Sequence, residues 1–139
     1  MIRKCAEADF PAILAIVNDA ATAYRGVIPA DRWKMPYMSE DELRREIACG
    51  VVFWGYVTGG SLVGVMGLQN VADVTLVRHA YVRTLRRRQG LGTQLLRYLE
   101  RSIDRPILIG TWAAAVWAVA YYEKAGYVLG HEHVIDGNG

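Results

Sequence analysis

The chain carries a basic stretch with two glycines at Arg86-Arg87-Arg88-Gln89-Gly90-Leu91-Gly92-Thr93. The apolar run Val74–Val82 comes before it and predicts a β-strand. Leucines at helical spacing come after it and predict an amphipathic α-helix. Glycine allows a close approach to the backbone, and the free N–H groups at a helix start attract anions. The stretch therefore predicts a strand–loop–helix unit that binds phosphate, and pyrophosphate in particular.

Three kinds of phosphate loop were compared with this stretch. A Walker A loop requires G-x-x-x-x-G-K-[ST], and the chain has no Gly-Lys followed by Ser or Thr. A dinucleotide fingerprint requires G-x-G-x-x-G, but Leu95 occupies the position of the third glycine. The pattern R-x-x-G-x-G fits Arg87-Arg88-Gln89-Gly90-Leu91-Gly92 and resembles the acyl-CoA-binding loop of the GNAT superfamily of N-acetyltransferases. Taken without other motifs, the stretch also fits an ordinary solvent-exposed basic loop with a glycine turn.

A second motif near the C-terminus points to the same family. The stretch Ala118-Val119-Ala120-Tyr121-Tyr122-Glu123-Lys124-Ala125-Gly126-Tyr127 resembles the A-x-x-x-Y-E-K-x-G-F/Y motif that closes the core of GNAT proteins. Tyr122 takes the place of the motif tyrosine, and Gly126 fits the position after a helix, where a positive φ is needed. One predicted helix and one predicted strand (residues 107–111) separate the two motifs, as in the family.

The pattern of elements predicts a single α/β domain over residues 1–139. Strands are predicted at residues 2–5, 51–57, 62–68, 74–82 and 107–111, with helices between them. The resemblance implies a GNAT-like mixed, mostly antiparallel twisted sheet flanked by helices. Few residues follow Gly126, so the sheet either ends in a small hairpin or lacks the family's last strand. An uncovered edge of that kind would favour a homodimer.

Local signals mark the ends of several elements. Asp9 is predicted to be a helix N-cap, and Ser39-x-x-Glu42 is a capping box before the next helix. Leu43 and Ile47 are predicted to form the buried side of that helix. Thr58-Gly59-Gly60-Ser61 predicts a tight hairpin turn between two antiparallel strands.

Composition excludes several classes of protein. The 139 residues are 53% hydrophobic and 22% charged, which suits one globular domain. The net charge of +2 is too small to argue for nucleic acid, although binding through the arginines at 86–88 stays a third hypothesis. We find no membrane span and no signal peptide, so two reduced cysteines, Cys5 and Cys49, fit a cytoplasmic protein.

The resemblance implies that acetyl-CoA is the co-substrate and indicates which residues hold it. The implied set is Tyr81, Val82, Arg83, Arg87, Arg88, Gln89, Gly90, Leu91, Gly92, Thr93 and Tyr122. The backbone N–H of Val82 is the candidate donor to the oxyanion, and Tyr122 is the candidate general acid for the leaving thiolate. By position alone, Tyr122 would be a core tyrosine. Ala115 departs from the family, which often has a cofactor-contacting asparagine there.

The general base is harder to assign. Relatives often carry a carboxylate or histidine on the strand before the loop, but Leu76 and Arg78 occupy the aligned positions and cannot deprotonate an ammonium. His79 is a candidate base, although strand alternation points it to the opposite face unless a bulge turns it. A buried, hydrogen-bonded histidine is the alternative for His79. Deprotonation through water by Glu42 or Glu46 is another option.

The acceptor site is expected in the irregular segment between the first two helices, where the family lines its acceptor pocket. Tyr24, Arg25, Trp33 and Tyr37 are the candidate substrate-binding residues, and Arg25 or Arg32 suits an acceptor carboxylate. The same segment fits a surface loop anchored by a tryptophan equally well. His131 and His133 lack a third ligand nearby, so no metal site is predicted.

These features predict an N-acetyltransferase that moves an acetyl group from acetyl-CoA to a primary amine. Neither cysteine lies in an acyl-enzyme motif, so direct attack in a ternary complex is expected. The alternative is a catalytically degenerate CoA-binding sensor or regulatory module, because Leu76, Ala115 and the short C-terminus all depart from the family pattern.

Overall fold

Strands and helices follow one another around a single mixed sheet in the computed structural model, which describes residues 1–22, 38–86, 89–109 and 126. The elements in chain order are β1 (Ile2–Lys4), α1 (Phe10–Ala21), α2 (Glu40–Ala48), β2 (Val52–Thr58), β3 (Ser61–Val71), β4 (Val74–Val82), α3 (Leu91–Glu100) and β5 (Ile107–Ile109). Short 3₁₀ turns lie at Glu7–Asp9 and Thr84–Arg86.

The strands pair in chain order, β1-β2-β3-β4-β5, within the described part. The pairs β1–β2, β2–β3 and β3–β4 are antiparallel, whereas β5 runs parallel to β4. The predicted mixed, mostly antiparallel sheet with flanking helices is thus confirmed. The predicted last strand and the helix of the second motif lie outside the described residues. None of the described helices is both long and apolar enough to cross a bilayer.

The hairpin between β2 and β3 follows from its two glycines. Gly59 and Gly60 have φ values of +58° and +79°, the left-handed region that a two-residue type I′ turn requires at both positions. β3 then extends to Val71, beyond the predicted end at residue 68, because its pairing with β4 continues to the Val71↔Val74 pair.

The start of α1 differs in detail from the prediction. Asp9 is the N-cap residue, but its side chain makes no capping bond to α1. Its carboxylate instead accepts from the Ala6 N–H at 2.7 Å and from both terminal nitrogens of Arg3, at 2.8 and 2.9 Å. The bonds from Arg3 and Ala6 lower the pKa of Asp9 to about 2. The Asp9 side chain, predicted to cap α1, therefore links β1 to the 3₁₀ turn before the helix through its bonds from Arg3 and Ala6.

At the start of α2 the predicted N-cap is confirmed, since the Ser39 side chain accepts from the Glu42 N–H at 3.1 Å. Leu43 is buried as expected, but Ile47 is 37% exposed, which corrects the prediction of a second buried position. In the last turn of α2, the residue that reaches the sheet is Glu46, which bonds to His79 of β4.

Each face of the sheet carries its own apolar cluster. The face under α1 and α2 buries Phe10, Ile13, Ile16, Val17, Met38, Leu43, Val51, Phe53, Leu62 and Val65. The face under α3 buries Met66, Val77, Leu95, Leu96 and Leu99. The predicted leucine stripe of α3 accounts for much of the second cluster, and Ile103 packs against it from beyond the helix end.

Candidate functional site

A β-bulge interrupts β4 just before the loop. Val65 pairs with Tyr81, whereas Gly67 pairs with Arg78, so β4 holds one residue more than β3 over this interval. The bulge includes His79, whose φ of +53° is unusual for a residue with a side chain. Bulges of this kind bend the strand and redirect side chains.

The bulge changes the face on which His79 lies. Val77 and Ala80, three positions apart, both pack in the cluster under α3. His79 instead lies near Phe53 and Tyr81, whose side chains belong to the cluster under α1 and α2. Strict alternation would have placed His79 on the α3 face, so that expectation is wrong. The bulge turns His79 to the other face, which is the exception that the sequence-based prediction allowed.

His79 is paired with Glu46 of α2. Its Nε2 lies 2.5 Å from Oε1 of Glu46, and the two side chains are 12% and 19% exposed. The ring centroid of His79 lies 6.1 Å from that of Phe53 and 6.2 Å from that of Tyr81. The imidazole is therefore held by one carboxylate and two aromatic rings.

Glu46 keeps its charge in this half-buried place. Burial acts to raise the pKa of its carboxyl group, but the hydrogen bond from His79 and the positive charges of His79, Arg78 and Arg45 outweigh burial. The pKa of Glu46 is accordingly lowered from its ordinary value. The pair is an ionised carboxylate that contacts an imidazole, an arrangement suited to proton transfer.

Over the described residues, the end of β4 has one backbone edge with no pairing strand. Arg83 donates its N–H to the Val63 carbonyl of β3 at 2.9 Å. Because alternate residues of an antiparallel strand point their N–H groups to opposite edges, the Val82 N–H points away from β3. The described pairs between β4 and β5 end at Val77↔Ile109, so Val82 lies past the described end of β5.

The start of α3 lies beside this edge. Gly90 is the N-cap residue, with a φ of +75°, and a β-carbon there would have no atom within 4 Å. A β-carbon at Gly92 would lie 3.8 Å from Cγ2 of Val82, an ordinary contact. The N–H groups of the first helical turn have no intrahelical acceptors. The geometry therefore brings an anion-attracting helix start next to the Val82 edge, and both belong to the predicted acyl-CoA site.

Neighbouring side chains brace the loop. Asp19 at the end of α1 accepts from the Thr84 N–H at 2.8 Å and from its hydroxyl at 3.1 Å. Arg86 donates to Gln89 at 2.9 Å and to the Thr58 hydroxyl at 3.0 Å. Arg86 and the Gln89 side chain thus bind protein atoms. Asp19 could not be identified from the sequence, because no local pattern connects it with a residue 65 positions away.

Several predicted site residues lie outside the described part. They are the loop arginines Arg87 and Arg88, the candidate acid Tyr122, Ala115, and the candidate acceptor residues Tyr24, Arg25, Trp33 and Tyr37. The structure thus brings together the end of β4 and the start of α3, and it places the Glu46–His79 pair on the opposite face of the sheet from α3. Over residues 1–22, 38–86 and 89–109, no group of three or more His, Cys, Asp or Glu is arranged to hold a metal ion.

Solved structures with the same fold include acetyltransferases. The PaiA N-acetyltransferase of Thermoplasma acidophilum, solved in complex with coenzyme A, has a TM-score of 0.76 at 19% identity, with 94% of this chain and 90% of that chain covered. The ribosomal-protein-S18-alanine N-acetyltransferase of Escherichia coli has a TM-score of 0.75 at 22% identity, with 94% and 79% covered. A transcriptional regulator of Bacillus halodurans gives 0.69 at 19% identity, with 95% of each chain covered.

At these identities the similarity establishes the fold and no more. No curated protein matches the sequence significantly. The family model described as "Acetyltransferase (GNAT) domain" matches residues 18–138, which include β4, the loop, α3 and the second motif. The chain therefore belongs to the GNAT family of acetyltransferases.

Proposed function

We propose that this protein transfers an acetyl group from acetyl-CoA to a primary amine by direct attack in a ternary complex. The observation that carries the proposal is the contact region of Gly92 and Val82, where a helix start that attracts anions meets a strand edge with an outward N–H. The helix start suits the pyrophosphate of acetyl-CoA, and the strand edge at Val82 suits the arm that carries the thioester.

The loop is the proposed site of the donor phosphates. The backbone N–H groups of residues 89–92 would donate to the pyrophosphate, assisted by the Thr93 hydroxyl and by the charges of Arg87 and Arg88. The peptide-like pantetheine arm would lie along Tyr81, Val82 and Arg83 as an added strand. Gly92 favours this placement because no side chain at that position extends toward Val82.

Two groups are proposed for the charges that develop during the reaction. The outward N–H of Val82 would donate to the carbonyl oxygen of the thioester as that oxygen becomes an anion. Tyr122 would protonate the leaving thiolate. A substitution at Val82 tests its role poorly, because the donor belongs to the main chain.

His79 is the proposed general base. The bulge turns its ring to the sheet face that carries α1 and α2, and the segment between those helices is where GNAT proteins line the acceptor pocket. Leu76 is 8% exposed and apolar, so it cannot take the proton. The reaction needs a group that can take a proton from the acceptor ammonium. Leu76 and Arg78 cannot do so, whereas the imidazole of His79, which Glu46 holds, can.

The described cysteine environment favours direct attack over an acyl-enzyme. Burial raises the pKa of the Cys5 thiol to about 11, so little thiolate forms near neutral pH. Cys49 is exposed and is the C-cap residue of α2. An acyl-enzyme would need a thiolate beside the thioester, and Cys5 does not supply one.

The proposal is tested by calorimetric titration with acetyl-CoA, followed by release of free CoA thiol over a panel of amines. The panel should contain small amines, amino acids, aminoglycosides, lysine peptides and a peptide with an N-terminal alanine, since a structural neighbour is described as acting on alanine of a ribosomal protein. We expect binding in the micromolar range and thiol release with at least one amine.

Other outcomes identify the alternatives. Binding without release on every amine would favour the CoA-binding sensor, and no binding would refute the assignment of the loop. Salt-dependent binding of DNA or RNA would favour the nucleic-acid hypothesis. Sedimentation of the purified chain tests the proposed homodimer, whose interface we expect at the C-terminal edge of the sheet.

A further inference from the structure

We propose that Glu46 is a positioning residue for His79, which it holds in the tautomer that leaves Nδ1 ready to accept a proton from the acceptor amine. This inference rests on the proposed function and extends it, because it assigns a role to a residue of α2 that lies 33 positions from the candidate base. The role is carried by the hydrogen bond between the two side chains and by their shared burial.

The hydrogen bond sets the tautomer. An ionised carboxylate has no proton to donate, so Nε2 of His79 must carry the hydrogen that lies between it and Glu46. In a neutral imidazole, the other nitrogen is then an acceptor. Among the described residues, the side chain of His79 hydrogen-bonds to Glu46 alone, so no described hydrogen bond occupies Nδ1.

The surroundings limit how far the ring can turn. The side chain of His79 is 12% exposed and lies near the rings of Phe53 and Tyr81 on the same face of the sheet. Its backbone is fixed by the bulge, between the Gly67↔Arg78 and Val65↔Tyr81 pairs. Glu46 approaches from α2 and completes this enclosure.

The charges around the pair keep Glu46 in the form that the role requires. Arg45, on the same helix, and Arg78, next to His79 on β4, both favour the carboxylate. Phe53 and Tyr81 are the described neighbours of the ring itself. Glu46 can thus balance the positive charge that appears on the ring when Nδ1 is protonated.

The proton transfer balances without a further reactant. One proton leaves the acceptor ammonium for Nδ1, and the amine nitrogen regains its lone pair. The Nε2–H stays on the hydrogen bond to Glu46, so the carboxylate remains ionised throughout. The nitrogen then bonds to the acetyl carbon, the carbon–sulfur bond breaks, and the thiolate takes a proton from Tyr122. The second proton of the attacking nitrogen passes to the Tyr122 phenolate, and the proton on Nδ1 is released to solvent, so one proton leaves for each acetyl group transferred.

Two other roles for Glu46 make different predictions. If Glu46 deprotonates the amine through water, its loss should slow the reaction even when His79 has been replaced. If the pair is only structural, its loss should change stability and leave the turnover rate of the folded protein unchanged. A double-mutant cycle separates all three roles.

The variants follow from the geometry. Glu46→Gln keeps an oxygen that can accept from Nε2 but removes the charge. His79→Asn is preferred to alanine because asparagine tolerates the φ of +53° at this position. Asp41→Asn is the matched control, since it removes an exposed carboxylate from the same helix, far from the base in sequence.

We expect Glu46→Gln to lower kcat by about 10- to 100-fold while KM for acetyl-CoA changes by less than about twofold, because the loop is untouched. His79→Asn should lower kcat by about 10²- to 10⁴-fold. The double variant should match His79→Asn within about twofold, and Asp41→Asn should match the wild type within the same limit.

The split between kcat and KM provides an independent readout. A purely structural role would lower the free energy of unfolding and leave the kcat of the folded protein unchanged, whereas a positioning role lowers kcat and leaves KM for acetyl-CoA unchanged. If His79→Asn does not fold by circular dichroism, the kcat and KM of Glu46→Gln decide the proposal.

The inference is overturned if Glu46→Gln turns over at the wild-type rate, or if the effects of the two substitutions multiply in the double variant. It is also overturned if His79→Asn keeps full activity, although the acetyltransferase proposal survives that result. A wild-type protein that does not bind acetyl-CoA or release its thiol defeats the proposed function itself, so the two failures are distinguishable.

Discussion

Gly90→Ala should weaken the binding of acetyl-CoA without unfolding the protein. Gly90 has a φ of +75°, and a β-carbon at this position would have no atom within 4 Å. The substitution therefore introduces no clash, and its whole effect comes from the left-handed backbone, which costs an L-residue about 1–2 kcal/mol.

That strain should appear in the affinity. Gly90 is exposed at the helix start, so in the free variant the loop can move to a negative φ and release the strain. The loop must then return to the positive φ when acetyl-CoA binds, so the same strain of about 1–2 kcal/mol is subtracted from the binding free energy. The dissociation constant should rise by about 5- to 30-fold.

Gly60→Ala is the matched control. Gly60 has a φ of +79° and likewise no atom within 4 Å of a β-carbon, but it lies in the hairpin between β2 and β3. The paired strands prevent relaxation there, so the variant should lose about 1 kcal/mol of stability, or about 4 °C in Tm. Its affinity for acetyl-CoA should equal that of the wild type.

Titration calorimetry and thermal unfolding of the three proteins check this prediction. The reasoning is refuted if Gly90→Ala binds acetyl-CoA within about twofold of the wild type. It is refuted equally if Gly60→Ala weakens binding as much as Gly90→Ala does, because the loss would then follow from strain anywhere in the fold.

Three further predictions concern the scaffold. Asp9→Asn should lose about 1 kcal/mol in urea unfolding near neutral pH, since the Arg3 side chain is 37% exposed and solvent weakens the pair. The Asp9 pKa is lowered, so this contribution is complete above the ordinary value of 3.8 and vanishes as the pH falls toward about 2; an unchanged difference at low pH would contradict the assignment. Asn18→Ala should lose about 1–3 kcal/mol, because the Asn18 side-chain amide donates to the Met38 carbonyl and accepts from the Met38 N–H, and a loss below about 0.5 kcal/mol would argue against that interpretation. Leu99→Ala should lose about 2–5 kcal/mol from a side chain that is 1% exposed, and a loss below about 1 kcal/mol would mean that the α3 cluster is loosely packed.

Features set by neighbouring residues could be predicted from the sequence. The hairpin follows from Gly59 and Gly60, the start of α2 from Ser39, and the core face of α3 from its leucine spacing. Each depends on backbone preference or periodicity over a few residues, which a local pattern contains. The predicted phosphate loop is of the same kind, because its glycine and the helix start are adjacent.

The Glu46–His79 pair is of a different kind. Strand alternation is a local rule, and it fails at His79 because one extra residue in β4 shifts the pairing with β3. The residue type at the bulge is only a weak sign of it, since histidine is enriched at positive φ values such as +53° but adopts them in few places. The partner Glu46 lies on an element that folds against the sheet, so only the assembled tertiary structure unites them.

The bulge has a sequence basis on the opposite strand. A β-carbon at Gly67 would lie 3.0 Å from the Arg78 carbonyl oxygen and 3.2 Å from a ring carbon of Phe53. Any side chain there would press on the bulge and on the ring that lies near His79. The missing side chain on β3 therefore allows the extra residue of β4, and the extra residue turns His79 toward Glu46. The candidate base thus depends on a glycine that a search for ionisable residues would pass over.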